Sequence, residues 1–269
     1  MITKFPSLQK KRLCNLLGIS RSSVYKNSTK QLRKDEALKD QILSTLTLHP
    51  SYGHRRIAVE LSVGKKRVKR VMKLYGIKPY KRKARWRKRR DLGKPDAGYP
   101  NLVKGTCPIK SKVVYAGDFT FIKWNKRFIY LATYMDIFTR EIVGWSISTR
   151  HTSEIVIDAF LDAILSTGLP AIVHTDQGSE YKSQEYTNLM NDLGVKVSMS
   201  AKASPWENAY QESFYNNFKT DLGLEFERFQ TIGKLVEAIH QQIKYYNQAR
   251  IHTTLKMSPT QFKAKHLST

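Results

Sequence analysis

Three acids, Asp118, Asp176 and Glu212, carry the sharpest chemical signal in the sequence. Asp118 (YAGDFTF) sits within a β-rich segment, Asp176 (HTDQGSEY) directly follows a short apolar run, and Glu212 (NAYQESFYNNFK) lies in a stretch with helical character. Taken one at a time they say little: an Asp after a strand often only caps a turn, and a helical Glu is usually solvated. Together they form an all-oxygen donor set. Hard Mg²⁺ or Mn²⁺ ions prefer such a set and complete their shells with substrate phosphate. Two ions about 3.5–4 Å apart activate an attacking oxygen and stabilise a leaving one, so the chemistry expected is the breaking and joining of phosphodiester bonds.

The elements that must position these acids are readable from 113 onward. Residues 113–122, 128–137 and 141–148 alternate as strands of a meander. Residues 152–167 have helical periodicity through Ile155, Val156, Ala159, Phe160, Ala163 and Ile164, and Gly168 to Pro170 end that helix. A buried strand at 171–174, a helix at 183–193, a strand at 195–199 and two closing helices at 207–222 and 231–248 follow. Three antiparallel strands and then alternating helix and strand predict an α/β domain with a mixed sheet. In such sheets, sites form beyond the carboxyl ends of strands, where the two aspartates are expected to meet. Asp136, in the hairpin MDIFTREIVGW, is assigned a structural role.

The net charge of +25 is unevenly placed: residues 1–112 hold 31 Lys/Arg against 6 Asp/Glu, while 113–269 hold 16 of each. A charge excess confined to one region fits a polyanionic partner, nucleic acid before anionic membrane. No apolar run reaches the length of a membrane span, and the N-terminus lacks a secretory pattern, so the expectation is a cytoplasmic protein. Cys14 and Cys107 stand alone, which argues against a zinc site or disulfide framework.

Within the basic region, residues 8–27 (LQKKRLCNLLGISRSSVYKN) predict helix, turn, helix. Leu13, Leu16 and Leu17 would supply the apolar face, Gly18 the break and Ser20 the next N-cap. Arg21, Ser22, Ser23 and Tyr25 would then stand on a recognition helix; an ordinary helical hairpin is the plainer alternative. In KKRVKRVMKLY, Val68, Val71, Met72 and Tyr75 share one helical face, and Lys65, Lys66, Lys69, Arg70 and Lys73 share the other. That second face suits a DNA backbone or else is simply solvated. Residues 81–90 (KRKARWRKRR) carry eight basic side chains and read as a linker that tracks phosphates, or as a hinge.

These residues also carry a family resemblance. The 35 residues between Asp176 and Glu212 resemble the Asp…Asp…(35)…Glu signature of retroviral integrases and insertion-sequence transposases. WENAYQESFYNNFK is similar to their Asn-Ala-x-x-Glu-Ser-Phe segment followed by a basic residue, here Lys219, and YYNQARIHTTLKMSPTQF resembles their closing segment. HPSYGHRRIAVEL and KKRVKRVMKLYGI resemble their helical DNA-binding region. The likeness spans nearly the whole chain and is nearest to second-frame (OrfB) products. Gln177 and Glu180 depart from the pattern, as does Gly64 before the basic helix.

The resemblance implies a ribonuclease-H-like α/β fold, with a mixed sheet flanked by helices and an all-α helix-turn-helix region ahead of it. The expected division is a helix-turn-helix at 1–30, a second helical DNA-binding domain at 31–78, a basic linker at 79–112 and a catalytic domain at 113–269. It further implies cleavage that frees a 3′-hydroxyl at an element end and strand transfer by that hydroxyl. Asp118 and Asp176 would be shared ligands of two Mg²⁺ or Mn²⁺ ions and Glu212 a ligand of one. Lys219 would neutralise phosphate near the scissile bond. Arg250 and His252 either contact DNA or cap and pack the last helices. The implied partners are double-stranded DNA, further copies of the chain and the upstream-frame (OrfA) product, at the nucleoid. A tyrosine recombinase and a non-catalytic DNA-binding regulator are the competing readings.

Overall fold

Residues 10–16, 18, 29–81, 98–105, 108–201, 208–223 and 229–267 are described by a computed structural model. The chain divides into two compact units, one up to Pro79 and the other from Tyr80. The expected recognition helix, with Arg21, Ser22, Ser23 and Tyr25, lies outside the described residues, as do Cys107 and most of the basic run.

The first unit contains α1 (Lys10–Leu16), α2 (Thr29–Leu48), α3 (His54–Glu60) and α4 (Lys65–Leu74). Gly18, at φ +60°, follows α1 in the left-handed conformation expected of a glycine helix stop. On α1, Cys14 is buried whereas Leu16 is 76% exposed, so the expected leucine face is corrected at Leu16. On α4 the apolar stripe forms as expected: Val68, Val71 and Met72 are buried. Lys65, Lys66, Lys69 and Lys73 face solvent. Arg70 is also exposed, but it is engaged in an ion pair. Its Nη1 and Nη2 donate to both carboxylate oxygens of buried Asp35 on α2, at 2.8 and 2.6 Å. The acid that pairs with this cation is 35 residues away, beyond the reach of helical periodicity.

In the second unit, β1 (Val114–Trp124), β2 (Arg127–Asp136), β3 (Ile142–Ser148), β4 (Ile172–Thr175) and β5 (Lys196–Met199) form one sheet in the order β3-β2-β1-β4-β5. The β1–β2 and β2–β3 pairs are antiparallel; β1–β4 and β4–β5 are parallel. The sheet therefore has the mixed, ribonuclease-H-like arrangement expected.

Alternation along the strands builds two cores. Ala132 and Tyr134 of β2 join Tyr115 and Val173 under α5 (Ser153–Thr167) and α6 (Gln184–Asp192). Ile129, Leu131 and Met135 face the other way. They pack against Phe214, Phe218 and Leu222 of α7 (Ala209–Leu222) and Leu235, Ile239 and Ile243 of α8 (Ile232–Gln248). Each fully buried aliphatic or aromatic side chain contributes roughly 1.5–3 kcal/mol relative to exposure.

Two features depart from the sequence reading. A further helix, α9 (Pro259–Leu267), follows α8. Ser258 and Gln261 open it with a reciprocal capping box: the Gln261 N–H donates to Ser258 Oγ at 3.3 Å and the Ser258 N–H to Gln261 Oε1 at 3.1 Å. Pro259 at the first helical position completes the start signal. Part of the expected linker also belongs to the sheet edge, since the Leu102 N–H donates to Ser198 Oγ and the Met199 N–H to the Pro100 carbonyl. Asp136 is the turn acid expected, accepting from the Phe138, Thr139 and Lys112 N–H groups.

Candidate active site

Asp118 is the fifth residue of β1, opposite Thr133 of β2. The parallel register of β1 and β4 ends at the pair Ala116–His174. Asp118 and Asp176 each lie two residues past that pair, so the two acids stand side by side where β4 ends and β1 runs on paired with β2 alone. Gly117 keeps the approach tight: a β-carbon there would lie 2.6 Å from Tyr134 Cε1.

Glu212 comes from the first turn of α7, and a ladder of side chains on that helix holds it beside β1. Asn208 Nδ2 donates to the Gly117 carbonyl at 3.2 Å, Gln211 Nε2 to the Ala116 carbonyl at 2.5 Å, and the Tyr215 hydroxyl to the Asp118 carbonyl at 2.7 Å. Lys219 Nζ donates to Thr120 Oγ1 at 2.5 Å and the Phe121 carbonyl at 2.9 Å. Residues 208, 211, 215 and 219 are three or four apart and share one helical face. The ladder therefore sets the rotation of α7, and Glu212, next to Gln211, emerges exposed at its margin. The sequence reading found Lys219 but missed Asn208, Gln211 and Tyr215. Their signal was present as polar residues at helical spacing on the core-facing side.

Asp118 is partly exposed, but its carboxyl is packed densely enough to be shifted. Burial first, and then the charge of Asp176 with a smaller push from Glu212, raise it to about 8. The Phe119 N–H, donating at 2.9 Å, and the charge of Lys219 act in the opposite direction. Asp176 is also raised, chiefly by burial and further by Glu180, against the Gly178 N–H that donates to its Oδ1 at 2.9 Å. The three acids and Lys219, drawn from β1, the β4 end and α7, thus act on one another through space.

Glu180 is buried, and its Oε1 lies 2.5 Å from His151 Nε2. His151 packs against Phe119 and Tyr130, with ring centroids at 4.8 and 4.9 Å. The departure at 180 therefore places a fourth carboxylate behind Asp176, engaged by a histidine from the start of α5.

The donor chemistry, neighbouring carboxylate oxygens, suits a hard divalent cation. Among the described residues no three His, Cys, Asp or Glu side chains stand close enough to cage an ion. This is consistent with exposed Glu212 and with sites where substrate phosphate supplies part of the shell.

Arg250 sits among the last helices. It is 2% exposed, its Nε donates to Asp221, and its Nη2 donates to Asn217 at 2.9 Å, so it clamps α7 from within. His252 is partly exposed, and its backbone closes a turn with Lys256 and Met257. No helix among the described residues is long and apolar enough to cross a membrane.

Residues 110–205 and 193–259 match two families described as the Integrase core domain. The chain is 36% identical to the "Transposase for insertion sequence element IS904" of Lactococcus lactis subsp. lactis (strain IL1403), over 89% of this chain and 98% of that one. It is 32% identical to the "Insertion element IS600 uncharacterized 31 kDa protein" of Shigella sonnei, over 94% and 98%. In fold it is similar to a chain of the simian T-cell lymphotropic virus intasome, at TM-score 0.50 and 19% identity, covering 83% of this chain and 73% of that one. Metal-dependent DNA cleavage and strand transfer is the general activity of such proteins. The chain belongs to the insertion-sequence transposases of the retroviral-integrase superfamily, DNA-transposing enzymes of the Asp-Asp-Glu type.

Proposed function

We propose that Asp118, Asp176 and Glu212 are the catalytic carboxylates of this transposase and that together they hold two Mg²⁺ or Mn²⁺ ions. The observation that carries this reading is the placement of Asp118 and Asp176 two residues past the last β1–β4 pair, with α7 bonded to Asp118; burial and the charges of Asp176 and Glu212 raise the Asp118 carboxyl there. A cation bound there would favour the charged form of the Asp118 carboxyl. Bound there, the ions supply charge neutralisation at the scissile phosphate and raise the acidity of the attacking hydroxyl.

Water attacks the phosphorus at an element end and releases a 3′-hydroxyl. In the second step that hydroxyl oxygen bonds to the phosphorus of a target strand and displaces its 3′-oxygen. Lys219, held against β1 beside Asp118, offers positive charge to the phosphate. The exposed cations Lys65, Lys66, Lys69 and Lys73 track the DNA backbone, and Arg21, Ser22 and Ser23 read bases at the element end as parts of a helix-turn-helix at 1–30. The remaining division is a second helical domain at 31–78, a linker at 79–112 and the catalytic domain at 113–269. Two ends must be joined in one event, which calls for more than one copy of the chain and fits action with an upstream-frame partner at the nucleoid.

The test is strand transfer by purified protein with Mg²⁺ or Mn²⁺ and labelled end DNA, wild type against Glu212→Gln. Loss of joining by the variant with DNA binding retained is the expected result; equal joining by both would overturn the assignment. A tyrosine recombinase would instead cut in EDTA and leave protein covalently attached to DNA.

A further inference from the structure

On the flank of α7 away from Glu212 and Lys219, a pocket of about 160 Å³ is lined by Arg140, Tyr210, Ser213, Asn217, His252 and Thr254 over an apolar floor. Its volume falls below the range of about 300–1,000 Å³ that takes a whole small molecule, so the fitting ligand is a single group. Among the described residues the lining contains no acid. It offers a guanidinium, an imidazole, a carboxamide and three hydroxyls.

Arg140 is the centre of this arrangement. Its Cζ lies 3.8 Å from the centroid of the Tyr210 ring, so the guanidinium is stacked against the aromatic face. Its Nη1 is screened from solvent and has no hydrogen-bond acceptor among the described residues. An N–H that has left water without finding an acceptor is costly, more so on a charged group. The backbone at Arg140 is also left-handed, at φ +63°, closed by its N–H donating to the Asp136 carbonyl at 2.8 Å. The tight β2–β3 turn therefore delivers the guanidinium to this place.

We propose that this pocket binds a backbone phosphate of the DNA on which the enzyme acts, at a position other than the scissile one. A planar fork of donors with hydroxyls around it is the arrangement that recognises phosphate oxygens. Tyr210, Ser213 and Asn217 occupy one side of α7 and Glu212 and Lys219 the other, so a strand lying across the helix passes from the pocket to the acids. The inference rests on the nucleic-acid activity of the catalytic unit. It assigns Arg140 a binding role and leaves the acids their own.

The experiment uses the full chain and element-end DNA, with Arg140→Asn as the main variant, because Asn tolerates a positive φ. Affinity at moderate salt is expected to fall about tenfold, and the slope of log K against log salt to become shallower by about 0.9, with thermal stability little changed. Ser213→Ala, which removes one hydroxyl and little packing, is expected to weaken binding in the same direction and serves if Arg140→Asn folds poorly. Glu212→Gln, run in parallel, is expected to lose joining with the slope unchanged, which separates failure of this site from failure of the catalytic assignment. Inorganic phosphate distinguishes the source of the oxyanion. If free phosphate raises the melting temperature of wild type but not of Arg140→Asn, while both bind DNA with one slope, the pocket takes a free anion and the DNA contact is overturned. Unchanged DNA affinity in both variants without phosphate stabilisation overturns the site altogether.

Discussion

The Tyr215 hydroxyl donates to the backbone carbonyl of Asp118 at 2.7 Å, so the helix that carries Glu212 is bonded to the very residue whose side chain Glu212 must join. Thr133 Oγ1 lies 2.8 Å from the same hydroxyl and also donates to Gln211 Oε1 at 3.1 Å. Three elements are thereby joined behind the acids by buried polar groups that satisfy one another. A mismatch in any of them leaves a buried polar group unpaired.

Tyr215→Phe removes this link while keeping the ring. The Asp118 carbonyl loses a donor, which is expected to cost about 1–2 kcal/mol of stability. Strand transfer is expected to fall further than DNA binding, because the placement of Glu212 relative to Asp118 loosens. Urea unfolding and joining assays on the same preparation check both; joining at the wild-type rate would show that α7 is positioned without the bond.

In metal-free protein the raised Asp118 carboxyl sets a pH dependence of known sign. Its folded value, about 8, lies above the ordinary carboxylate value of 3.8, so the folded chain holds a proton that the unfolded chain releases. This group's contribution to stability is full below about 4 and is lost as pH rises toward 8. In EDTA the melting temperature should therefore decline across that interval by more in wild type than in Asp118→Asn. Adding Mg²⁺ should stabilise wild type more at pH 8 than at pH 6, since ion and proton compete for the same oxygens.

Arg250 and Asp221 are 2% and 6% exposed along their side chains and pair at the core of the last helices. Arg250→Met takes the guanidinium away from a buried aspartate, expected to cost about 3–5 kcal/mol. Loss of cooperative unfolding at a lower temperature is the expected result. Weaker DNA binding with unchanged stability would instead return Arg250 to the contact surface.

Arg70 and Lys69 are neighbours with different tasks. Arg70→Ala leaves Asp35 buried without its bidentate donor, so melting of the N-terminal unit should occur at lower temperature. Lys69→Ala should leave melting unchanged and flatten the salt dependence of DNA binding by about 0.9. Salt titrations and thermal melts on both variants separate the two, and a shallower slope from Arg70→Ala in a fully folded protein would contradict its assignment to packing.

Much of the catalytic unit was legible without coordinates because its signals are local. Strand alternation in 113–148, helical periodicity in 152–167 and the glycine stops lie within a few residues of one another. α9 was not recognised, although Ser258, Pro259 and Gln261 announce it, because a short helix with little apolar periodicity resembles a polar tail. The Arg70–Asp35 pair was missed because a face read from one helix contains no information about the helix packed beside it.

The sequence alone determined the acid residue types, the 35-residue gap between Asp176 and Glu212, and the segregation of positive charge into residues 1–112. These are properties of the chain, and the family resemblance follows from them. Only the tertiary structure decided that β1 and β4 are parallel neighbours whose register ends at Ala116 and His174. It also decided that Asn208, Gln211, Tyr215 and Lys219 dock α7 along β1. Strand order and helix rotation follow from burying two apolar faces and pairing buried polar groups across about 80–100 residues of chain, as the separations of these bonds show. Asp118 gains its proton affinity from the same long-range packing, since both its burial and its charged neighbours come from segments distant in sequence.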